Sequence, residues 1–205
     1  MSPGGLGRSH TTRIIERMHC GRWSCAASET TSNERTPVAA PTDPVALRRP
    51  PIRQATLVRS DVEHTFTVFV REIGVWWPTP TISAGREQVR TVTVEPQEGG
   101  RVYETWHDGT TVDWGRLLAW EPPRRFTMSW LCTPAPTEVE LTFTPLGPAL
   151  TRVAVEHRGW EALSEAQIRE DCALPGGYAA GSFATGWTRI LAALTEAAEA
   201  GTESA

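Results

Sequence analysis

The chain has 205 residues, 40% apolar and 21% charged, with a formal net charge of −4. That length suits one domain with an appendage. No apolar run reaches the roughly 18–20 residues of a membrane helix, and the negative balance lacks the basic footprint of a nucleic-acid binder. All 20 basic residues are Arg, which excludes Schiff-base catalysis and a phosphate grip by Lys. Nine Trp stand against two Tyr and five Phe. An indole is bulky and its N–H wants a partner when buried, so this excess points to a large aromatic core or an aromatic-lined cavity.

Residues 1–51 hold seven Arg and four acids and are rich in Ser, Thr, Gly and Pro. Such a segment buries too little apolar area to offset its ordering entropy. Residues 1–50 are therefore expected to be a disordered or weakly ordered extension, residues 51–200 the folded domain and 201–205 a tail. No apolar stretch follows the early Arg residues, so a secretory signal is not expected. Of the four Cys, Cys20 and Cys25 have His19 beside them but no second ligand pair at zinc-site spacing. No metal or other cofactor is expected. With Cys132 and Cys172 they are scattered, which suits a reducing, cytoplasmic setting.

Ile52-Arg-Gln-Ala-Thr-Leu-Val-Arg59 alternates and predicts a strand. Ser60 and Glu63 have capping-box spacing, with Ser60 as the expected N-cap. Val62, Phe66, Phe69, Val70 and Ile73 then mark one face of a helix that Gly74 and Pro78 end. Trp76-Trp77-Pro78-Thr79-Pro80 is a stiff aromatic connector. Strands are predicted at Gln88–Glu95, Arg101–Trp106, Thr111–Trp120, Arg125–Leu131, Glu138–Thr144 and Leu150–His157. This rhythm of about 8–12 residues reads as one antiparallel meander. A two-residue Asp108-Gly109 hairpin would set Glu104 opposite Asp113 and Arg101 opposite Arg116. Facing acids repel, so either that turn is longer or both acids face solvent. A short helix is predicted at Ser164–Cys172, stopped by Pro175-Gly176-Gly177, and a long one at Tyr178–Ala200. In the long helix Phe183, Trp187, Leu191, Leu194 and Ala198 form the core stripe. Gly181 and Gly186 weaken it unless they lie in close packing or beside free space.

The order is β-α-β6-α-α, an α+β fold. A single curved sheet must cover its apolar face, and the long C-terminal helix is the element available. From about residue 52 to 198 the chain resembles the helix-grip, START-like superfamily also called SRPBCC. It is most similar to the group homologous to the C-terminal domain of the activator of heat-shock protein 90 ATPase. The resemblance rests on Trp76-Trp77-Pro78, Gly99-Gly100, His107-Asp108-Gly109 and Trp114-Gly115-Arg116-Leu117-Leu118. It continues in Trp120-Glu-Pro-Pro-Arg-Arg-Phe126 running into Ser129-Trp130, in His157-Arg-Gly-Trp160-Glu161, and in Gly186-Trp187. It implies a curved sheet of about seven strands wrapped on the last helix, with a cavity for a small hydrophobic molecule between them. Some members of the superfamily are cyclases or aromatases. The co-chaperone proper carries a further docking domain, and residues 1–50 are too short and too polar to supply it.

The ligand-binding residues expected on this basis are Trp76, Trp77, Trp106, Trp130, His157, Trp160, Phe183 and Trp187. Core packing is the competing reading for every Trp, and a satisfied structural side chain for His157. No catalytic set is assigned; His157, His107 and Tyr103 are the candidate acid–base groups for a cyclase, dehydratase or hydrolase on the same cavity. His107 is expected at a loop tip. A protein-binding, co-chaperone-like module or a weak homodimer ranks behind both readings.

Overall fold

In the computed structural model, which describes residues 49–171 and 181–200, the apolar alternation resolves into seven strands. They are β1 (Ile52–Val58), β2 (Val89–Val94), β3 (Arg101–Trp106), β4 (Thr111–Glu121), β5 (Arg125–Trp130), β6 (Thr137–Gly147) and β7 (Leu150–Arg158). Helix α1 (Val62–Arg71) and the single turn α2 (Ile73–Trp76) stand between β1 and β2; α3 (Glu165–Asp171) and α4 (Ser182–Ala200) follow β7. The expectations for residues 1–48, including Trp23, Cys20 and Cys25, lie outside the described residues. So do those for Cys172, for the Pro175–Gly177 stop, for the first residues of the long helix and for the tail.

The sheet order is β1-β7-β6-β5-β4-β3-β2, antiparallel throughout. Strands β2 to β7 are a meander, and β1 joins its far edge with Ile52 opposite His157 and Val58 opposite Thr151. The α1–α2 segment carries the chain between the two edge strands and packs against α4 and the sheet. Helix α4 lies along β1, with Trp187, Ile190, Leu191, Leu194 and Ala198 all buried. This is the curved sheet gripping a long helix. Phe66 and Phe69 of α1 meet Phe126 and Phe143 of β5 and β6 with centroids 5.1–6.2 Å apart.

The structure corrects the expected N-cap, bears out the longer of the alternatives for the β3–β4 hairpin, and alters the side-chain parity along β4. The N-cap of α1 is Asp61, whose Oδ1 accepts from the His64 N–H at 2.8 Å. Ser60 is buried one residue earlier, and its backbone carbonyl accepts from Thr151 Oγ1. Both residues can cap, and burial decides between them. The β3–β4 hairpin has a three-residue loop, His107-Asp108-Gly109, closed by Trp106 N–H to Thr110 O and Gly109 N–H to Trp106 O. Gly109 supplies the positive φ (88°) that this turn requires. The longer loop sets Glu104 opposite Val112 and Tyr103 opposite Asp113, so the two acids do not face each other.

Side-chain parity along β4 departs from strict alternation. The pairing shifts by one residue around Trp114 and again around Leu118. Each extra residue flips the alternation that follows it. Trp114, Leu117 and Trp120 therefore all turn inward, although a regular strand would put Leu117 on the face opposite the two Trp. At Gly115 a Cβ would lie 1.7 Å from the Ser129 carbonyl oxygen, so the bulged strand can approach β5 only without a side chain there.

Candidate functional site

Two buried polar side chains organise the interior. Glu104 of β3 is fully buried. Its Oε1 accepts from the Gly85 N–H at 2.8 Å and from Trp106 Nε1 at 2.7 Å, and its Oε2 accepts from Trp114 Nε1 at 3.1 Å. Burying a carboxyl group is costly unless donors meet it, and three do. The carboxyl thereby ties the connector after α2 to the end of the sheet. Trp77 adds a second tie, donating from Nε1 to Ile82 O at 2.8 Å. Residues 78–88 form a strap held at both points, and Gly85 fits because a Cβ there would lie 2.3 Å from Trp106 Nε1.

His157 of β7 is also fully buried. Burial alone pushes its imidazole down from the ordinary 6.5 to about 3, so the ring is neutral at physiological pH. Trp187 of α4 donates its Nε1–H to Nδ1 at 3.2 Å, which leaves Nε2 as the protonated nitrogen. Nε2 donates to Thr137 Oγ1 at 2.8 Å, and Thr137 meets Thr133 Oγ1 at 3.1 Å, which bonds Ala135 O. Trp160 donates to the His157 carbonyl at 2.7 Å. Both ring nitrogens are thus engaged within the protein. The role of His157 is to pin α4 to β7 through one indole.

Between these groups the inner faces of β2–β6, α1–α2 and α4 leave a small gap of about 10 Å³. Its wall is aromatic: Trp77, Trp114, Trp130 and Trp187, with Phe69 and Phe126. Ile73, Val94, Val102, Met128 and Leu141 complete it. The indoles run as a chain, with centroids 4.9 Å from Trp77 to Trp114, 6.1 Å to Trp130 and 5.6 Å on to Trp187.

Of the residues expected to bind ligand, Trp77, Trp130 and Trp187 border this gap. Trp76 is half-buried at 5.7 Å from Trp77 and donates to Val68 O at 2.9 Å. Trp160 and Phe183 pack on each other at 5.0 Å and on His157 at 4.4 and 5.7 Å, beside the gap rather than in its wall. Trp106 is turned to Glu104. The candidate acid–base groups do not converge. His107 is exposed at the hairpin tip, as expected, His157 is interior, and Tyr103 lies on the face opposite Glu104 with the Arg101 guanidinium 4.3 Å over its ring. Asp113 faces outward and pairs with Arg101. Trp114 and Glu104 are the residues sequence reasoning left out of the site. The parity of Glu104 with Val102 on β3 was the available signal for the latter.

The fold and this interior place the chain in a known class. The sequence profile of the family described as "Activator of Hsp90 ATPase homolog 1-like protein" matches residues 62–199, and the chain belongs to that family. No curated protein matches it by sequence. Among solved structures it is similar to CalC of Micromonospora echinospora, a self-sacrificing resistance protein. The identity is 22% and the TM-score 0.51, over 74% of this chain and 96% of that one. It is also similar to protein CV1439 of Chromobacterium violaceum, at 17% identity and a TM-score of 0.50 over 74% and 99%. Protein SA2116 of Staphylococcus aureus gives 12% and 0.50 over 75% and 95%. At these identities the likeness is one of fold.

Proposed function

We propose that the protein binds a small hydrophobic or amphipathic molecule between the sheet and α4, within the unit spanning residues 51–200, and that it does so in the cytoplasm. The observation that carries this reading is the wall of the gap, where four Trp and two Phe meet. Aliphatic side chains fill a core without importing polar atoms, whereas each indole brings an N–H to be accommodated. Membership of a family whose wider superfamily holds hydrophobic ligands at this place supports it. The gap is far smaller than the roughly 300–1,000 Å³ of ligand pockets, so the bound form has α4 or the strap 78–88 displaced from the sheet. Binding then draws on apolar burial at about 25 cal/mol per Å², less the cost of opening.

The test is native mass spectrometry of protein purified from cells under mild conditions, followed by extraction and identification of any adduct. A hydrophobic co-purified molecule is the expected result. A bare mass, together with no uptake of an apolar fluorescent probe, would overturn the reading.

A further inference from the structure

The wall of the gap is of one chemical kind: every residue in it is apolar, and no polar atom reaches its surface. Polar groups are nonetheless close by. Three of the four indoles in the wall spend their N–H on the protein, Trp77 on Ile82 O, Trp114 on Glu104 Oε2 and Trp187 on His157 Nδ1. The Glu104 carboxyl in turn holds three N–H donors on its two oxygens, and both ring nitrogens of His157 are engaged. Among the described residues two buried side-chain polar atoms lack a partner, Ser60 Oγ and Trp130 Nε1. Ser60 is not in the wall, and Trp130 presents only carbon to the gap. The polar chemistry of the interior is closed on itself, and the gap offers a guest neither donor nor acceptor.

We propose that the site selects against buried oxygen. The part of the ligand held between the sheet and α4 is plain hydrocarbon, without hydroxyl, carbonyl or charge, and an amphipathic ligand keeps its polar end outside the wall. This inference rests on the cavity reading above and narrows it. A carbonyl or hydroxyl carried against this wall gives up its hydrogen bonds to water and receives none in return. A charged group loses more. Hydrocarbon meets the indole and phenyl rings and the Met128 thioether without such a loss. Ring systems with oxygens spread around their periphery are excluded on this ground, because no orientation keeps every oxygen outside.

A matched pair of probes tests it on the unaltered full chain: indane and 1-indanone, which share a shape and differ in a carbonyl. Intermolecular NOEs from the probe to the methyl groups of Met128 and Leu141 report whether it is seated in the wall. The expected result is that indane shows these contacts and binds about ten- to a hundredfold more tightly than indanone, the cost of one carbonyl desolvated without a partner. A wall with a free donor would return most of that cost and level the two affinities. Indanone that shows the same contacts and binds as tightly as indane, or more so, overturns the exclusion of oxygen and leaves the cavity standing. If neither probe binds, or indane binds without contact to Met128 or Leu141, the cavity reading is overturned and this inference falls with it.

Discussion

At the scale of single residues, the interior contains two polar groups that nature seldom buries, and they are handled in opposite ways. Glu104 is met by three N–H donors; His157 keeps its ring in the core by staying neutral. The second solution makes stability depend on pH. The folded-state pKa of His157 is about 3 and the unfolded value is 6.5, so below pH 6.5 the unfolded chain binds a proton that the folded one refuses. The stabilisation from His157 is complete above pH 6.5 and is lost as pH falls towards 3, by about 1.4 kcal/mol per pH unit within that window. Urea unfolding of wild type and His157→Leu across pH 4–7 isolates this, because the other titrating groups largely cancel in the difference. The wild-type advantage should shrink by roughly 3 kcal/mol between pH 6.5 and 4. A difference that stays level over this range would mean that the imidazole is not held neutral in the fold.

At the scale of elements, much of the architecture is legible in the chain, and the exceptions share one cause. Periodicity locates every strand to within a few residues, because half-buried strands must alternate, and α1 and α4 because their stripes recur at helical spacing. What periodicity cannot carry is an extra residue. The two irregularities in β4 leave no local mark, yet they decide that Trp114, Leu117 and Trp120 share a face and that Trp114 reaches Glu104. The hairpin before β4 was undecided for the same reason, since Asp-Gly serves a two- or a three-residue loop. Trp77, Trp130 and Trp187, which border the gap, are legible at the connector, at a strand end and on a helix stripe, whereas Glu104 reads in the sequence as half of a repelled acid pair. Two glycines test the element geometry from opposite sides. Gly115→Ala forces a Cβ against the Ser129 carbonyl, and a loss of about 2–3 kcal/mol is expected from the overpacked β4–β5 contact. At Gly186 a Cβ meets nothing within 4 Å, so Gly186→Ala should stabilise α4 by about 0.5–1 kcal/mol through helix propensity alone. Melting curves of the two variants decide it. Movement of both in the same direction would contradict the free space at one site or the close approach at the other.

At the scale of the whole molecule, the closed interior turns binding into a question of rates. A gap of about 10 Å³ admits no organic molecule, so on the proposed reading a ligand would wait for an opening that the folded protein makes on its own. The strap 78–88 is one candidate for that opening: it is tied to the Glu104 carboxyl through the Gly85 N–H, to the Trp77 indole through the Ile82 carbonyl, and to the β3–β4 hairpin through His107 N–H to Gln88 O. If opening precedes binding, the observed association rate with an apolar fluorescent probe should level off at high probe concentration, at the opening rate itself. Glu104→Gln then raises that ceiling. The amide keeps one acceptor oxygen but turns hydrogens towards a donor, so one of the three bonds must fail at a cost of about 1–3 kcal/mol. Native-state hydrogen exchange supplies the structural check, because the Gly85 amide should exchange faster in Glu104→Gln while amides of β6 and β7 keep their protection. Stopped-flow Trp fluorescence reads the rates directly. A rate that rises linearly to the highest ligand concentration would place the ligand outside the sheet or the interior already open. A ceiling unchanged in Glu104→Gln would move the gate from the strap to α4.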